Sequence, residues 1–218
     1  MSTPTPARIT TVDLHEAHDD LPSPSDAADW HRRLCLVGDR IVLSGDLPAY
    51  EPEARAAIVE WIRAGITGIV DCRGEHSDQD LVAEVARSLG YVHVGIDDDG
   101  GPRPDWWFDT GVDGAVDLLT GTDGRILVHC HMGINRGPSM AYAILLWLGW
   151  HHLEALDAIR AARPISAVLY AEDAVEWWAR RSARSETEAL RMRREVRGWL
   201  NDHDIDAATA IRQIRNAS

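Results

Sequence analysis

RILVHCHMGINRGPSMAYAILLW, residues 125–147, runs a short apolar segment into a polar loop and then into a second apolar segment with no polar face. RILVHC is too short and too rich in β-branched and aliphatic residues for a helix, and reads as a buried strand. From Pro138 onward, PSMAYAILLWLGW is apolar all round, as a helix enclosed by a core should be. A loop between a buried strand and a buried helix lies at the carboxyl end of that strand, where open α/β sheets place their sites. This loop holds Cys130 and Arg136 with five residues between them.

Working outward, the same pattern recurs. RLCLVGDRIVLSG reads as a hairpin of two short strands around a Gly-Asp turn. EARAAIVEWIRAG has helical spacing and stops at Gly65; ITGIVDC is a buried strand; SDQDLVAEVARSLG is read as a helix ending on Gly90; YVHVGI is a strand. The acidic turn DDDGG leads to a helical stretch over about 104–119. Alternating strands and helices with short connections predict an α/β fold, a largely parallel sheet flanked by helices. Helices are expected over about 151–162 and 167–181, and the capping pair Ser185 and Glu188 opens another, with a last helix over roughly 205–215. Three segments follow from this reading: a loosely held leader over 1–29, a catalytic domain over 30–182, and a helical C-terminal extension over 183–218.

Composition narrows the chemistry. The chain has 218 residues, 45% of them hydrophobic, and a formal charge of −13. All of its basic residues are arginine, so an amine-based Schiff base or a Walker-type phosphate lysine is excluded. An acidic surface repels phosphate polymers and anionic leaflets, so neither nucleic acid nor a membrane is the expected partner. No basic segment leads into an apolar stretch at the N-terminus, and three cysteines are too few and odd in number for a disulfide scaffold, so a cytoplasmic setting is expected. Cys35 reads as a buried small hydrophobe, and Trp106, Trp107 and Phe108 as core or cleft-wall rings. His151 and His152 are expected at a solvated helix start, and the arginines between 180 and 197 on a solvated face that offsets nearby glutamates.

The 130–136 loop carries the chemistry. Only a thiolate attacks, and an ordinary thiol is mostly protonated at neutral pH. Backbone amides of 131–136 and the following helix start would turn donors inward and favour an anionic Cys130. Arg136 offers a planar fork matched to two phosphate oxygens, and Gly133 permits a tight left-handed turn with no side chain in the bowl. Pro138 suits the first helical position. His131, Met132, Gly133, Ile134 and Asn135, with Arg136, form the expected substrate-binding loop. A soft-metal site at His129, Cys130 and His131 is disfavoured, because adjacent residues on a strand end point in alternating directions and zinc ligands are usually spaced further apart. DDDGG does not have the alternating ligands of a calcium loop. No metal and no cofactor are called for.

His129-Cys130-x-x-Gly133-x-x-Arg136 resembles the phosphate-binding loop of the cysteine-based protein tyrosine phosphatases, in particular their dual-specificity branch. The resemblance extends over about 33–182. It implies a phosphocysteine intermediate formed by Cys130, with phosphorylated protein or a small phosphomonoester as substrate. It implies a histidine before the nucleophile, His129, that supports the loop and the sulfur, and an aspartate on a separate loop about thirty residues upstream, just past a strand that begins with an aromatic residue. Asp98, between Tyr91 and Phe108, is in step with that pattern, followed in rank by Asp97 and Asp99. Arg73 and Glu75 are implied as braces, and Cys72 falls where some relatives hold a cysteine that forms a reversible disulfide with the nucleophile. One departure is evident: relatives carry Ser or Thr after the arginine, and this chain has Gly137, so Ser139 or a water would have to replace the hydroxyl or the second step is slow. A non-catalytic phosphoresidue-binding module and a rhodanese-type sulfurtransferase are the competing readings.

Overall fold

The computed structural model describes residues 27–217. A short helix α1 (Ala27–Trp30) precedes the hairpin β1 (Cys35–Val37) and β2 (Ile41–Ser44), then α2 (Glu51–Arg63), β3 (Ile66–Arg73), α3 (Gln79–Val85), β4 (Gly90–Ile96), α4 (Asp105–Leu119) and β5 (Arg125–His129). Five helices complete the chain: α5 (Arg136–Trp147), α6 (His152–Ala162), α7 (Ala171–Arg181), α8 (Glu186–Asp202) and α9 (Ala207–Ala217). The sheet order is β1-β2-β5-β3-β4, antiparallel only between β1 and β2. This is the largely parallel α/β sheet that the alternation of elements predicts. β5 is central and buried on both faces, which is why its sequence is a continuous apolar run rather than an alternating one.

Two apolar layers cover the sheet. On one face, α2 and α3 bring Ile58, Trp61 and Val82 against Ile69 and Leu127; on the other, α4, α5 and α7 enclose a larger cluster with Val70, Val128 and Cys130. Met192, Val196, Trp199, Ala210 and Ile214, all from the expected C-terminal extension, join this larger cluster. No helix among the described residues is long and apolar enough to cross a membrane.

Several boundaries differ from the sequence reading. The expected leader over 1–29 lies outside the described residues up to 26, but Ala27 and Trp30 are buried in α1. α3 ends at Val85, and Gly90 opens β4 instead of stopping a helix; a Cβ there would lie 2.2 Å from Leu118, so glycine lets α4 approach the sheet. α5 begins at Arg136, which makes Pro138 its third residue; the missing N–H is still harmless because the first four amides of a helix have no intrahelical acceptor. Residues 167–170 are not helical, and Val168 sits at φ 52. His152 is buried and bonded to Glu195 at 2.7 Å, not solvated. Trp107 and Phe108 are core, whereas Trp106 is exposed. The arginines between 180 and 197 pair largely with acids, as Arg181 does with Asp109 and Asp113 and Arg197 with Glu172.

Candidate active site

The loop leaving β5 is held from outside by its carbonyl groups. His131 O accepts from Asp46 N–H at 3.0 Å, Met132 O and Gly133 O accept from Arg163 at 3.2 and 2.7 Å, and Ile134 O accepts from Ala167 N–H at 2.7 Å. Asn135 O takes the first intrahelical bond, from Ser139 N–H at 2.8 Å. In a trans peptide the N–H points opposite to the preceding C=O. With the carbonyls of 131–135 turned outward, the amides of 132–136 face the concave side, and none finds an acceptor among the described residues. Gly133, at φ 65, makes the tight turn; a Cβ there would lie 2.4 Å from Arg163 Nη2 and 2.6 Å from Ser44 O. A ring of buried, unpartnered donors around Cys130 has the chemistry to receive an anion.

Arg136 is buried and closes the ring. Its Nη1 and Nη2 donate to Glu75 at 2.8 and 2.7 Å, Nη1 also donates to Ile96 O, and Nε has no hydrogen-bond partner among the described residues. The Arg136 hydrogen bonds hold the Glu75 carboxyl down at about 2, so it is a carboxylate at neutral pH. The segment carrying Glu75 is fastened by Arg73, which is wholly buried and bonds Asp71 at 2.9 and 2.8 Å and Asp78 at 2.6 Å. Burial alone would raise the Asp71 carboxyl, but the hydrogen bonds from Arg73, the neighbouring His129 and Arg73 charges and the Tyr91 hydroxyl together outweigh it and bring it to about 2.

A cavity of about 320 Å³ opens over the loop, lined by Cys130, Arg136, Asp98, Glu75 and the apolar Met132, Ile134, Leu169 and Ile211. Of the three consecutive aspartates only Asp98 lines it. The Asp97 carbonyl accepts from Arg103 at 2.7 Å, and the exposed Asp99 carboxylate pairs with the same guanidinium. Asp98 Oδ1 accepts from Asn135 Nδ2 at 2.7 Å and from Tyr170 OH at 2.5 Å, while Oδ2 lies 3.6 Å from Arg136 Nε. Tyr170 is itself fixed, edge-on to Trp107 with centroids 6.2 Å apart and under the Arg103 guanidinium at 4.4 Å.

Other expected site residues take different places. His129 points away from Cys130, as alternation along a strand requires, and lies 5.9 Å from the Trp61 ring. Neither of its ring nitrogens has a hydrogen-bond partner among the described residues, so it does not brace the loop by hydrogen bonding; burial lowers its pKa to about 4, and it is neutral at pH 7. Ser139 Oγ is engaged by Asn135 Oδ1 at 3.2 Å and Tyr170 N–H at 3.3 Å rather than by the sulfur. A Cβ on Gly137 would meet the His129–Cys130 peptide at 3.1–3.2 Å, so a hydroxyl-bearing residue there needs a backbone shift of a few tenths of an ångström. His131 bonds Asp46 at 2.5 Å, and that hydrogen bond raises its pKa. Cys72 is fully buried and reduced, one register step past the Asp71–His129 pair, and its thiol is pushed up by burial and then by Cys130. No cluster of three or more His, Cys, Asp or Glu side chains among the described residues is placed to hold a metal ion.

Against known proteins, the chain covers 68% of itself and 95% of human DUSP28 at a TM-score of 0.55 with 18% identity. The fold is that of the cysteine-based protein tyrosine phosphatases. PTPMT1 is similar over 69% of this chain and 99% of its own, at a TM-score of 0.53 and 20% identity. In sequence, dual specificity protein phosphatase 26 of Homo sapiens is 30% identical over 106 residues, which is 48% of each protein, and that of Rattus norvegicus is 29% identical over the same length. The chain thus spans about half the length of the curated relatives it matches. No family model matches it.

Three contributors were not visible in the sequence. Arg163 and Asp46 reach the loop, and Tyr170 reaches Asp98, from 30 or more residues away along the chain. Nothing local marks them; Arg163 reads as one more helix-end arginine.

Proposed function

We propose that this chain is a metal-independent phosphomonoesterase of the protein-tyrosine and dual-specificity type, acting first on phosphotyrosine and second on phosphoserine or phosphothreonine. The observation that carries the reading is the set of amides over 132–136, turned inward without acceptors around Cys130 and closed by the Arg136 Nε. Such a bowl suits three phosphoryl oxygens, and fixed donors aimed at developing charge are the largest single source of rate enhancement in most acyl and phosphoryl transfers.

In the first step the Cys130 thiolate attacks phosphorus, an S–P bond forms, and the P–O bond to the leaving group breaks. Asp98 supplies the proton to the departing oxygen. Tyr170 and Asn135 both donate to Asp98 Oδ1 and so occupy that oxygen with hydrogens already. The proton is therefore carried on Oδ2, the oxygen on the Arg136 side. In the second step water attacks phosphorus, Asp98 takes its proton, and the Cys130 thiolate leaves. Arg136 and the amides hold the equatorial oxygens in both steps.

Two features favour protein over lipid substrate: the loop has no lysine and the chain is acidic. Asp98 inside the cavity favours turnover over a binding module, and an arginine-closed bowl favours phosphate over sulfur transfer. Cys130→Ser should abolish hydrolysis of p-nitrophenyl phosphate while vanadate binding persists; retained turnover would refute the assignment. Cys72 is assigned the resolving thiol that protects Cys130 during oxidation.

A further inference from the structure

α9 is pinned to the body of the protein and walls the cavity at the same time. Ala210 and Ile214 are buried, and Gln213 Oε1 accepts from Ala27 N–H at 3.3 Å in α1. The adjoining face carries Ala207, Ile211 and Arg215 at intervals of four, and all three line the cavity that contains Cys130. Arg215 also lines a neighbouring cavity of about 490 Å³ that shares His131 and Met132 with the first, so it stands where the two meet.

Charge at this junction is not balanced. Arg215 is exposed and has no hydrogen bond or ion pair with any described residue, whereas Arg181, Arg193 and Arg197 of the preceding helices are all paired with acids. The acids on the same cavity are committed: Glu75 to Arg136, and Asp98 to Asn135 and Tyr170. His131 also lines the cavity but is committed to Asp46. The same cavity has apolar walls from Met132, Ile134, Leu169 and Ile211. Val168, a β-branched residue at φ 52, turns the chain so that Leu169 N–H reaches Asn135 Oδ1 at 2.8 Å, leaving the Leu169 side chain on the cavity. A left-handed conformation at such a residue costs about 1–2 kcal/mol and persists only where surrounding contacts impose it.

We propose that Arg215 is a specificity-determining residue that binds an acidic side chain flanking phosphotyrosine in a peptide substrate, with Ile211 and Leu169 walling the aromatic ring. The proposal rests on the phosphatase reading above. A peptide is favoured over a membrane-borne phosphate because a chain of charge −13 is repelled by an anionic leaflet.

The test compares full-length wild type with Arg215→Ala and Arg215→Glu on phosphotyrosyl peptides flanked by Glu, by Ala or by Arg, and on a soluble inositol phosphate. Wild type should prefer the Glu-flanked peptide over the Ala-flanked one. Arg215→Ala should reduce that preference about fivefold, the most that an exposed ion pair of about 1 kcal/mol supplies, through KM rather than kcat. Arg215→Glu should shift preference toward the Arg-flanked peptide, an inversion that a damaged fold cannot produce. An unchanged ratio of kcat/KM between peptides in both variants would overturn the proposal, as would a wild-type preference for inositol phosphate that disappears in Arg215→Ala. Failure of wild type to hydrolyse any phosphotyrosyl peptide or p-nitrophenyl phosphate would instead overturn the phosphatase reading.

Discussion

Replacing Arg163 by methionine tests how the loop is built. The guanidinium is wholly buried and donates to Gly133 O at 2.7 Å, His31 O at 3.1 Å, Met132 O at 3.2 Å and Arg33 O at 3.3 Å, with the Cys35 sulfur at 3.5 Å. Each buried carbonyl left without a donor costs about 1–3 kcal/mol. The loss is partly offset because a charge with no carboxylate partner no longer has to be desolvated, the same burial that lowers the Arg163 pKa. The net destabilisation expected is about 3 kcal/mol, or roughly 6–12 °C in Tm for a domain of this size. Urea unfolding with a shared slope measures it. The second readout is kcat/KM per folded molecule well below the midpoint. If the Met132 and Gly133 carbonyls turn, their amides turn with them, and kcat/KM for p-nitrophenyl phosphate should fall by about tenfold. A stability loss under 1 kcal/mol, or the full loss with undiminished kcat/KM, would refute the claim that these anchors aim the amides.

Asp98→Asn should lower kcat/KM about 10²-fold on phosphotyrosyl peptide but much less on p-nitrophenyl phosphate, whose leaving group needs little protonation; equal losses on both would contradict the acid role. For His131, the folded pKa is raised above 6.5 by the Asp46 hydrogen bond, so the stability of the pair is complete below about 6.5 and is lost as pH rises through the raised value. The Asp46 carboxyl, with burial opposing but the His131 and His31 hydrogen bonds prevailing, is held well below 3.8, so loss on the acid side begins only under about that pH. The Tm gap between wild type and His131→Asn should be widest between about pH 4 and 6.5 and narrow above it; a gap that widens toward alkaline pH would contradict this. Mild peroxide should give a thiol-reversible gel shift that Cys72→Ser abolishes, and a shift persisting in that variant would dispose of the Cys72–Cys130 bond.

What could be read in the sequence was whatever is local. β3 and β5 announce themselves as apolar runs because both of their faces are buried, and α5 because it is enclosed all round. Cys130, Gly133 and Arg136 stand out in the sequence because their spacing suits a thiolate in an anion-binding loop, whereas Asp98 stands out only through the resemblance to the phosphatases. Helix ends were misjudged where tertiary packing decides them. Ala86 to Leu89 have helical composition but leave the helix to feed β4, and 167–170 are held in a turn, with Val168 left-handed, by Ala167 and Leu169 reaching the loop. His129 was assigned to the sulfur by resemblance, yet strand alternation sends it to the Trp61 layer. The contributions of Arg163, Asp46, Tyr170 and α9 come from contacts between distant parts of the chain, which no local pattern encodes.

The most direct measurement is the covalent state of the protein during turnover. Wild type mixed with p-nitrophenyl phosphate and quenched in acid within milliseconds should carry one phosphoryl group on the peptide containing Cys130, in a burst that precedes steady release, because no hydroxyl follows Arg136 to assist breakdown of the intermediate. Hydrolysis that proceeds with Cys130 unlabelled, or with the phosphoryl group on another residue, would contradict the account.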